Sequence, residues 1–149
     1  MLPLLTAGYA SAVPDVVVAS DEPWVRAEVA SVLSALPDVR IHEITSGAAV
    51  AKAVYELEPE LVIVDLQIGN MGGMAVCMEL RLEESGDRLD HVPVLMLLDR
   101  RPDVFLARRS GAEGCLVKPL DPIRLRKAIA ALLEGGTYHD ESYRPVTVG

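Results

Sequence analysis

Leu61 to Gly73 reads LVIVDLQIGNMGG, and this stretch decides the fold. Leu61, Val62, Ile63 and Val64 form an unbroken, mostly β-branched apolar run. A strand covered on both faces shows no polar alternation, so the run reads as a buried strand of a parallel sheet. Asp65 closes it, and Gly69, Gly72 and Gly73 allow the backbone a sharp exit. Asp65 therefore stands at the carboxyl end of a strand, where open α/β sheets take their ligands. Asp is also common as a simple capping residue in such turns. The ends of the other strands decide between the two readings.

Upstream lies DVVVA, Asp15 to Ala19, a first strand followed by Ser20-Asp21-Glu22-Pro23. Proline suits the first helical position, so a helix is predicted from about Pro23 to Leu36. Val25, Val29, Val32, Leu33 and Leu36 make its apolar stripe. Val39 to Glu43 is a short second strand. Ser46 is placed to cap a second helix over about Gly47 to Leu57. Downstream of the central stretch, Gly73 to Glu84 reads as a third helix and PVLMLL, Pro93 to Leu98, as a fourth strand. A short helix runs from Pro102 to about Ser110. Gly114 to Val117 is a fifth strand ending at Lys118-Pro119. Asp121-Pro122 starts the last helix, which runs to about Glu134.

Five strands alternating with five helices predict an α/β fold: a doubly wound, five-stranded parallel sheet with helices on both faces. Residues 14–135 form the domain, 1–13 an N-terminal extension and 136–149 a polar C-terminal tail. Right-handed crossovers bring the carboxyl ends of strands one, three and five to one edge. Asp21, Asp65 and Lys118 would converge there. Close carboxylates repel, and a cation relieves them. Oxygen ligands with an open position suit Mg²⁺, and a lysine opposite can pair with an added phosphoryl group. The rim suits aspartyl-phosphate chemistry.

Composition narrows the function classes. The chain has 149 residues, enough for one domain with a real core. Half are hydrophobic and only 4% aromatic, so the core must be aliphatic. The formal charge is −8, which argues against direct nucleic-acid binding, where clustered cations must neutralise phosphates. Cys77 and Cys115 lie in apolar surroundings and read as buried thiols of a reducing compartment. The longest apolar stretch, Val92 to Leu98, is too short to span a bilayer. Met1 to Val13 holds no Lys or Arg, unlike a signal peptide. A cytoplasmic protein without membrane insertion is expected. His42, His91 and His139 are scattered and read as surface residues. Trp24 is expected to pack against the first helix, with covering of the acidic rim as the alternative.

With VVVASDEP, LVIVDLQIGNMGG, PVLMLL and GAEGCLVKPLDPIRL in this order and spacing, the chain resembles the receiver domain of two-component response regulators, a flavodoxin-like (βα)5 fold, from about Pro14 to Glu134. The resemblance implies that Asp65 is the phosphoacceptor and that Lys118 contacts the phosphoryl group. It further implies that Asp21, Asp65 and the backbone carbonyl of Gln67 hold Mg²⁺, and that the Lys118-Pro119 bond is cis. A histidine kinase is the implied phosphodonor.

The departures are specific. Ser20 stands where such domains carry a second acid, which should weaken Mg²⁺ binding. Leu98 stands where a Thr or Ser hydroxyl is usual. Asp99 replaces a small residue, and its carboxylate would repel a phosphoryl group. Cys115 replaces the aromatic switch residue, and Gly69 and Gly72 replace common proline and aspartate. The expectation is a receiver that works mainly as a docking module, with a phosphorylation switch at Asp65 as the alternative.

Arg100, Arg101, Arg108, Arg109, Arg124, Arg126 and Lys127 cluster in the last two helical segments. They read either as solvated helix faces or as a basic docking face for an acidic partner. Residues 135–149 are too few for a helix-turn-helix module. Among stand-alone receivers the chain is most similar to actinobacterial orphan forms, a resemblance that implies an accessory role at respiratory NADH:quinone oxidoreductase (complex I), on the inner face of the membrane, with both tails as docking arms. Two enzyme readings are weaker. Aspartyl-intermediate phosphatases need a second acid where Gln67 stands, and a flavodoxin-like cofactor site needs a phosphate-cradling loop where Ser20-Asp21-Glu22-Pro23 is acidic.

Overall fold

The computed structural model describes residues 13–36 and 38–140. The strands are β1 (Asp15–Ala19), β2 (Arg40–Ile44), β3 (Leu61–Asp65), β4 (Val94–Leu98), β5 (Gly114–Val117) and β6 (Tyr138–His139). The helices are α1 (Pro23–Ser34), α2 (Val50–Leu57), α3 (Gly73–Ser85), α4 (Val104–Arg109) and α5 (Pro122–Leu133). Short 3₁₀ turns, Gly47–Ala49 and Arg101–Asp103, lead into α2 and α4.

The strands form one sheet in the order β2-β1-β3-β4-β5-β6, and every neighbouring pair is parallel. Its side chains separate with the period of two that a pleated strand imposes. Val17, Val62, Val64, Val94, Met96, Leu98 and Cys115 pack on one face with Val50 and Val54 of α2, Val76, Cys77 and Leu80 of α3, and Val104 of α4. Val16, Val18, Leu61, Ile63, Leu95, Leu97 and Leu116 pack on the other with Val25, Val29 and Leu33 of α1 and Leu125, Ile129 and Leu132 of α5. This is the doubly wound α/β fold read from the unalternating strands. All five residues of β3 are buried.

The sheet has one strand more than the sequence predicts. Tyr138 and His139 pair with Gly114 and Cys115 at the open edge of β5. The stretch expected to be a polar tail thus joins the sheet through Asp140, and His139 is half-buried rather than a surface residue. Two residues make too short a strand to carry a period, which is why the pattern missed it. Residues 1–12 and 141–149, most of the two expected docking arms, lie outside the described residues.

Local chemistry also departs from expectation at two turns. Ser46 precedes the 3₁₀ turn before α2, but its side chain makes no capping hydrogen bond. In the loop after β3 the left-handed backbone falls on Asn70 (φ 54°) and Met71 (φ 90°), and Gly69 and Gly72 are absent from the positive-φ glycines. What the fold needs from glycine there is room. A Cβ on Gly73 would lie 2.7 Å from the Asp65 carbonyl oxygen, and one on Gly47 would lie 1.8 Å from that of Met71. Asp121 does cap α5, accepting the Ile123 N–H at 2.8 Å.

Candidate functional site

The parallel register sets β1, β3 and β5 side by side with β4 and gathers their carboxyl ends at one rim. Asp65 is opposite Leu97, and Leu98 opposite Val117. Asp65 is fully buried. Lys118 leaves the end of β5 and places Nζ 3.0 Å from Asp65 Oδ1 and 3.0 Å from Oδ2. The Ser20 hydroxyl donates to Asp65 Oδ2 at 2.9 Å and accepts the Glu22 N–H at 3.1 Å. The Gln67 N–H donates to Asp65 Oδ1 at 3.2 Å. Each carboxylate oxygen therefore accepts two hydrogen bonds, which fills the acceptor capacity of the group.

The outer part of the rim belongs to Asp99, Asp21 and Trp24. Lys118 Nζ lies 3.0 Å from Asp99 Oδ1, so Asp99 engages the lysine directly. Sequence reasoning treated Asp99 only as a repulsive neighbour of a phosphoryl group. Asp21 Oδ2 accepts the Gly69 N–H at 3.1 Å and so ties the end of β1 to the turn after Asp65. Trp24 places its ring 5.5 Å from Lys118 Nζ, within cation–π reach, and its indole N–H meets the Glu22 carboxylate. It covers the lysine instead of packing inward along α1, and it stays 45% exposed. Arg26 holds the Ser20 carbonyl at 2.8 Å and pairs with Glu43 at 3.3 Å.

The structure brings Asp65 and Lys118 into contact and puts Asp21 on the same rim. Gln67 joins through its backbone amide, with its side chain exposed. Leu98 and Cys115, at the positions expected to lack a switch hydroxyl and ring, are both buried. Burial pulls the Lys118 ammonium down, but its hydrogen bonds to Asp65 and Asp99 and their negative charges outweigh it and hold the group above its ordinary value. Burial pushes the thiols of Cys77 and Cys115 up, away from the reactive thiolate. The Lys118-Pro119 bond is cis, as the resemblance implied.

The donor set fits Mg²⁺ only in part. Its atoms are hard oxygens of the right class. Ser20 supplies a neutral hydroxyl where a second acid would stand, the Asp65 oxygens are filled, and Asp21 is turned to Gly69. Among the described residues no group of three or more His, Cys, Asp or Glu is placed to hold a metal ion. As arranged, the rim does not form a resident Mg²⁺ cage.

The basic cluster is partly neutralised within the chain. Arg100 pairs with Asp103 at 3.3 Å and Arg124 with Asp140 at 3.5 Å. Arg101, Arg109, Arg126 and Lys127 remain exposed on the two helical segments. Among the described residues no helix is long and apolar enough to cross a membrane.

A doubly wound parallel sheet with a buried aspartate gripped by a strand-terminal lysine at its carboxyl rim defines a receiver-type signalling module. The response regulator receiver domain model matches residues 16–130, and the chain belongs to that family. It is 28% identical over 127 residues to the nitrate/nitrite response regulator NarL of Escherichia coli, covering 85% of this chain and 57% of that protein. It is 33% identical over 108 residues to the DNA-binding response regulator MtrA of Mycolicibacterium smegmatis, covering 71% of this chain and 44% of that one. The chain thus matches about half the length of these relatives. Among solved structures, the signal receiver domain of NarL from Mycobacterium tuberculosis superposes with a TM-score of 0.72 at 28% identity, over 82% of this chain and 97% of that one. The receiver domain of RcsB from Salmonella enterica serovar Typhimurium, in the presence of the phosphomimetic BeF₃⁻, shares the fold with a TM-score of 0.74 at 20% identity, over 87% of this chain and 95% of that one. Receiver domains support phosphorylation-switched signalling, typically bind Mg²⁺ at the acidic site and interact with histidine kinases and other proteins.

Proposed function

We propose that this chain is an atypical receiver that works mainly as a protein-docking module, with Asp65 and Lys118 serving as a fixed ion pair. The observation that carries the reading is the filled acceptor set of Asp65: Lys118, Ser20 and the Gln67 N–H occupy both oxygens. A nucleophilic carboxylate needs a free lone pair facing its electrophile, and a metal to gather the incoming charge. Ser20 in place of an acid, Asp99 on the lysine and the buried Leu98 all support the same reading. Incubating the protein with a small-molecule phosphodonor and Mg²⁺ tests it. Substoichiometric labelling is expected. Stoichiometric labelling that is lost in Asp65→Asn and that alters partner binding would overturn it.

The partner surface in this reading is the face with Arg101, Arg109, Arg126 and Lys127, which suits an acidic protein surface. The segments 1–13 and 141–149 serve as docking arms, since 138–140 are held in the sheet. Subunits of NADH:quinone oxidoreductase are the partner that the sequence resemblance suggests, which would place a cytoplasmic protein at the membrane face through its partner. Pull-down with and without 1–13 and 141–149 tests the arms, and equal recovery counts against them. The net charge of −8 speaks against carrying over the DNA binding of MtrA.

A second reading is favoured by the meeting of Asp21, Asp65 and Lys118 on one rim. Here Asp65 accepts a phosphoryl group from a histidine kinase, with Mg²⁺ held weakly by Asp21, Asp65 and the Gln67 carbonyl. The phosphodonor experiment separates the two.

A further inference from the structure

Asp140 is a buried carboxylate, 2% exposed, that the acceptor site does not use. Buried carboxylates persist where they are paired and hydrogen-bonded, and the partners of Asp140 are informative. Its N–H donates to the Cys115 carbonyl at 3.2 Å. Its Oδ2 accepts the Val117 N–H at 2.9 Å, and its Oδ1 lies 3.5 Å from the Arg124 guanidinium of α5. Val117 is the residue before Lys118. Lys118 in turn donates its own N–H to the Leu98 carbonyl at 2.8 Å while its ammonium grips Asp65. The end of β5 is therefore held from both sides, by β4 through Leu98 and by 137–140 through Asp140. Because β6 runs parallel to β5, the chain reaches Asp140 heading toward the rim where Asp65 lies.

We propose that Asp140 is a positioning residue for Lys118, and that the segment 137–140 it anchors reports the state of the Asp65–Lys118 pair at the surface. A change in the charge on Asp65 alters the pull on the Lys118 side chain and hence on the end of β5. The Val117 N–H cannot shift without lengthening its bond to Asp140. Arg124 ties the same carboxylate to α5, so the displacement falls on β6, which has only two paired residues. This route uses neither a hydroxyl at position 98 nor a ring at position 115. It rests on the Asp65–Lys118 geometry of the reading above but not on phosphoryl uptake, so the two fail separately.

Amide hydrogen exchange on the full chain tests the first half, with Asp65→Asn and Lys118→Met as alternative ways of altering the pair. Exchange at Tyr138 to Asp140 is expected to rise about tenfold relative to the β1 amides Val16 to Ala19, which report global opening. Coupling between sites is reciprocal, so Asp140→Asn is expected to raise the rate of amine modification at Lys118 several-fold while Lys127 is unchanged. Exchange at 137–140 that merely follows β1 in whichever variants fold would overturn the proposal. So would an unchanged Lys118 rate in Asp140→Asn. Stoichiometric phosphodonor labelling of the unmodified protein that alters partner binding would sink the docking reading and leave this one standing.

Discussion

Lys118 and Asp65 are joined twice: Nζ lies 3.0 Å from each carboxylate oxygen, and a third contact of 3.0 Å runs to Asp99. The ammonium is thereby shared between two carboxylates, straddling both oxygens of Asp65 and reaching one of Asp99. The lysine side chain is 7% exposed and that of Asp65 1%, so the pair is shielded from water and neither partner is readily dispensable.

Removing the lysine should cost more than removing the acid. Lys118→Met leaves a buried charge opposed only by neutral donors, a loss of about 3–5 kcal/mol. Asp65→Asn leaves Lys118 paired with Asp99 nearer the solvent, a loss of about 1–3 kcal/mol. Urea denaturation should give the lower midpoint for Lys118→Met; equal midpoints would show that Asp99 contributes nothing.

Ser20 is where the metal preference of the rim can be reversed. Ser20→Asp sets a second carboxylate against Asp65 and should lower stability in the presence of a chelator. Mg²⁺ should then restore it, raising Tm by about 4 °C or more. The unmodified protein should respond by less than about 1 °C under the same conditions. Identical responses would show that Ser20 does not limit metal binding.

Among the loop glycines, the effect of alanine should follow clearance. Gly47→Ala and Gly73→Ala drive a Cβ to 1.8 Å and 2.7 Å from backbone oxygens, whereas Gly72→Ala meets its nearest neighbour at 3.4 Å. The first two should each lose more than about 2 kcal/mol and the third less than about 1 kcal/mol. A large loss at Gly72 would point to a backbone requirement rather than a steric one.

Two groups give the stability a pH dependence of known sign. Burial, aided by Arg108, lowers the pKa of His139 below its unfolded value of 6.5. The unfolded state then binds more protons, so stability falls as the pH drops below 6.5. Lys118 is shifted above 10.5, so its contribution is complete below 10.5 and is lost as the pH rises through the folded value. His139→Asn should flatten the acid limb of a plot of denaturation midpoint against pH, and Lys118→Met the alkaline limb.

Much of this was legible in the chain. The unalternating runs Val16 to Ala19, Leu61 to Val64 and Val94 to Leu98 announced buried parallel strands, and Asp121-Pro122 announced the start of α5. Asp65 and Lys118 stand out in the sequence because each directly follows or ends such a run. Asp140 was missed because its burial depends on β6, and β6 has no pattern of its own. The contact made by Asp99 is not legible from its place next to Leu98, since sequence proximity shows only a carboxylate beside the acceptor position. Its actual partner is a lysine 19 residues further along. The position of Trp24 over Lys118 is likewise not legible, because sequence spacing carries no account of what lies across the rim.

The layering, the succession of strands and helices, and the charged residues at strand ends are written in the order of amino acids, because burial periodicity and turn chemistry are local properties of the chain. It takes the folded chain to show that the Ser20 hydroxyl and the Lys118 ammonium meet the oxygens of Asp65, that Asp99 shares the lysine, and that Asp140 fastens the end of β5. Those are contacts between residues far apart in sequence, set by strand register and by the handedness of the crossovers to within a fraction of an ångström, and no local pattern encodes a distance of that kind.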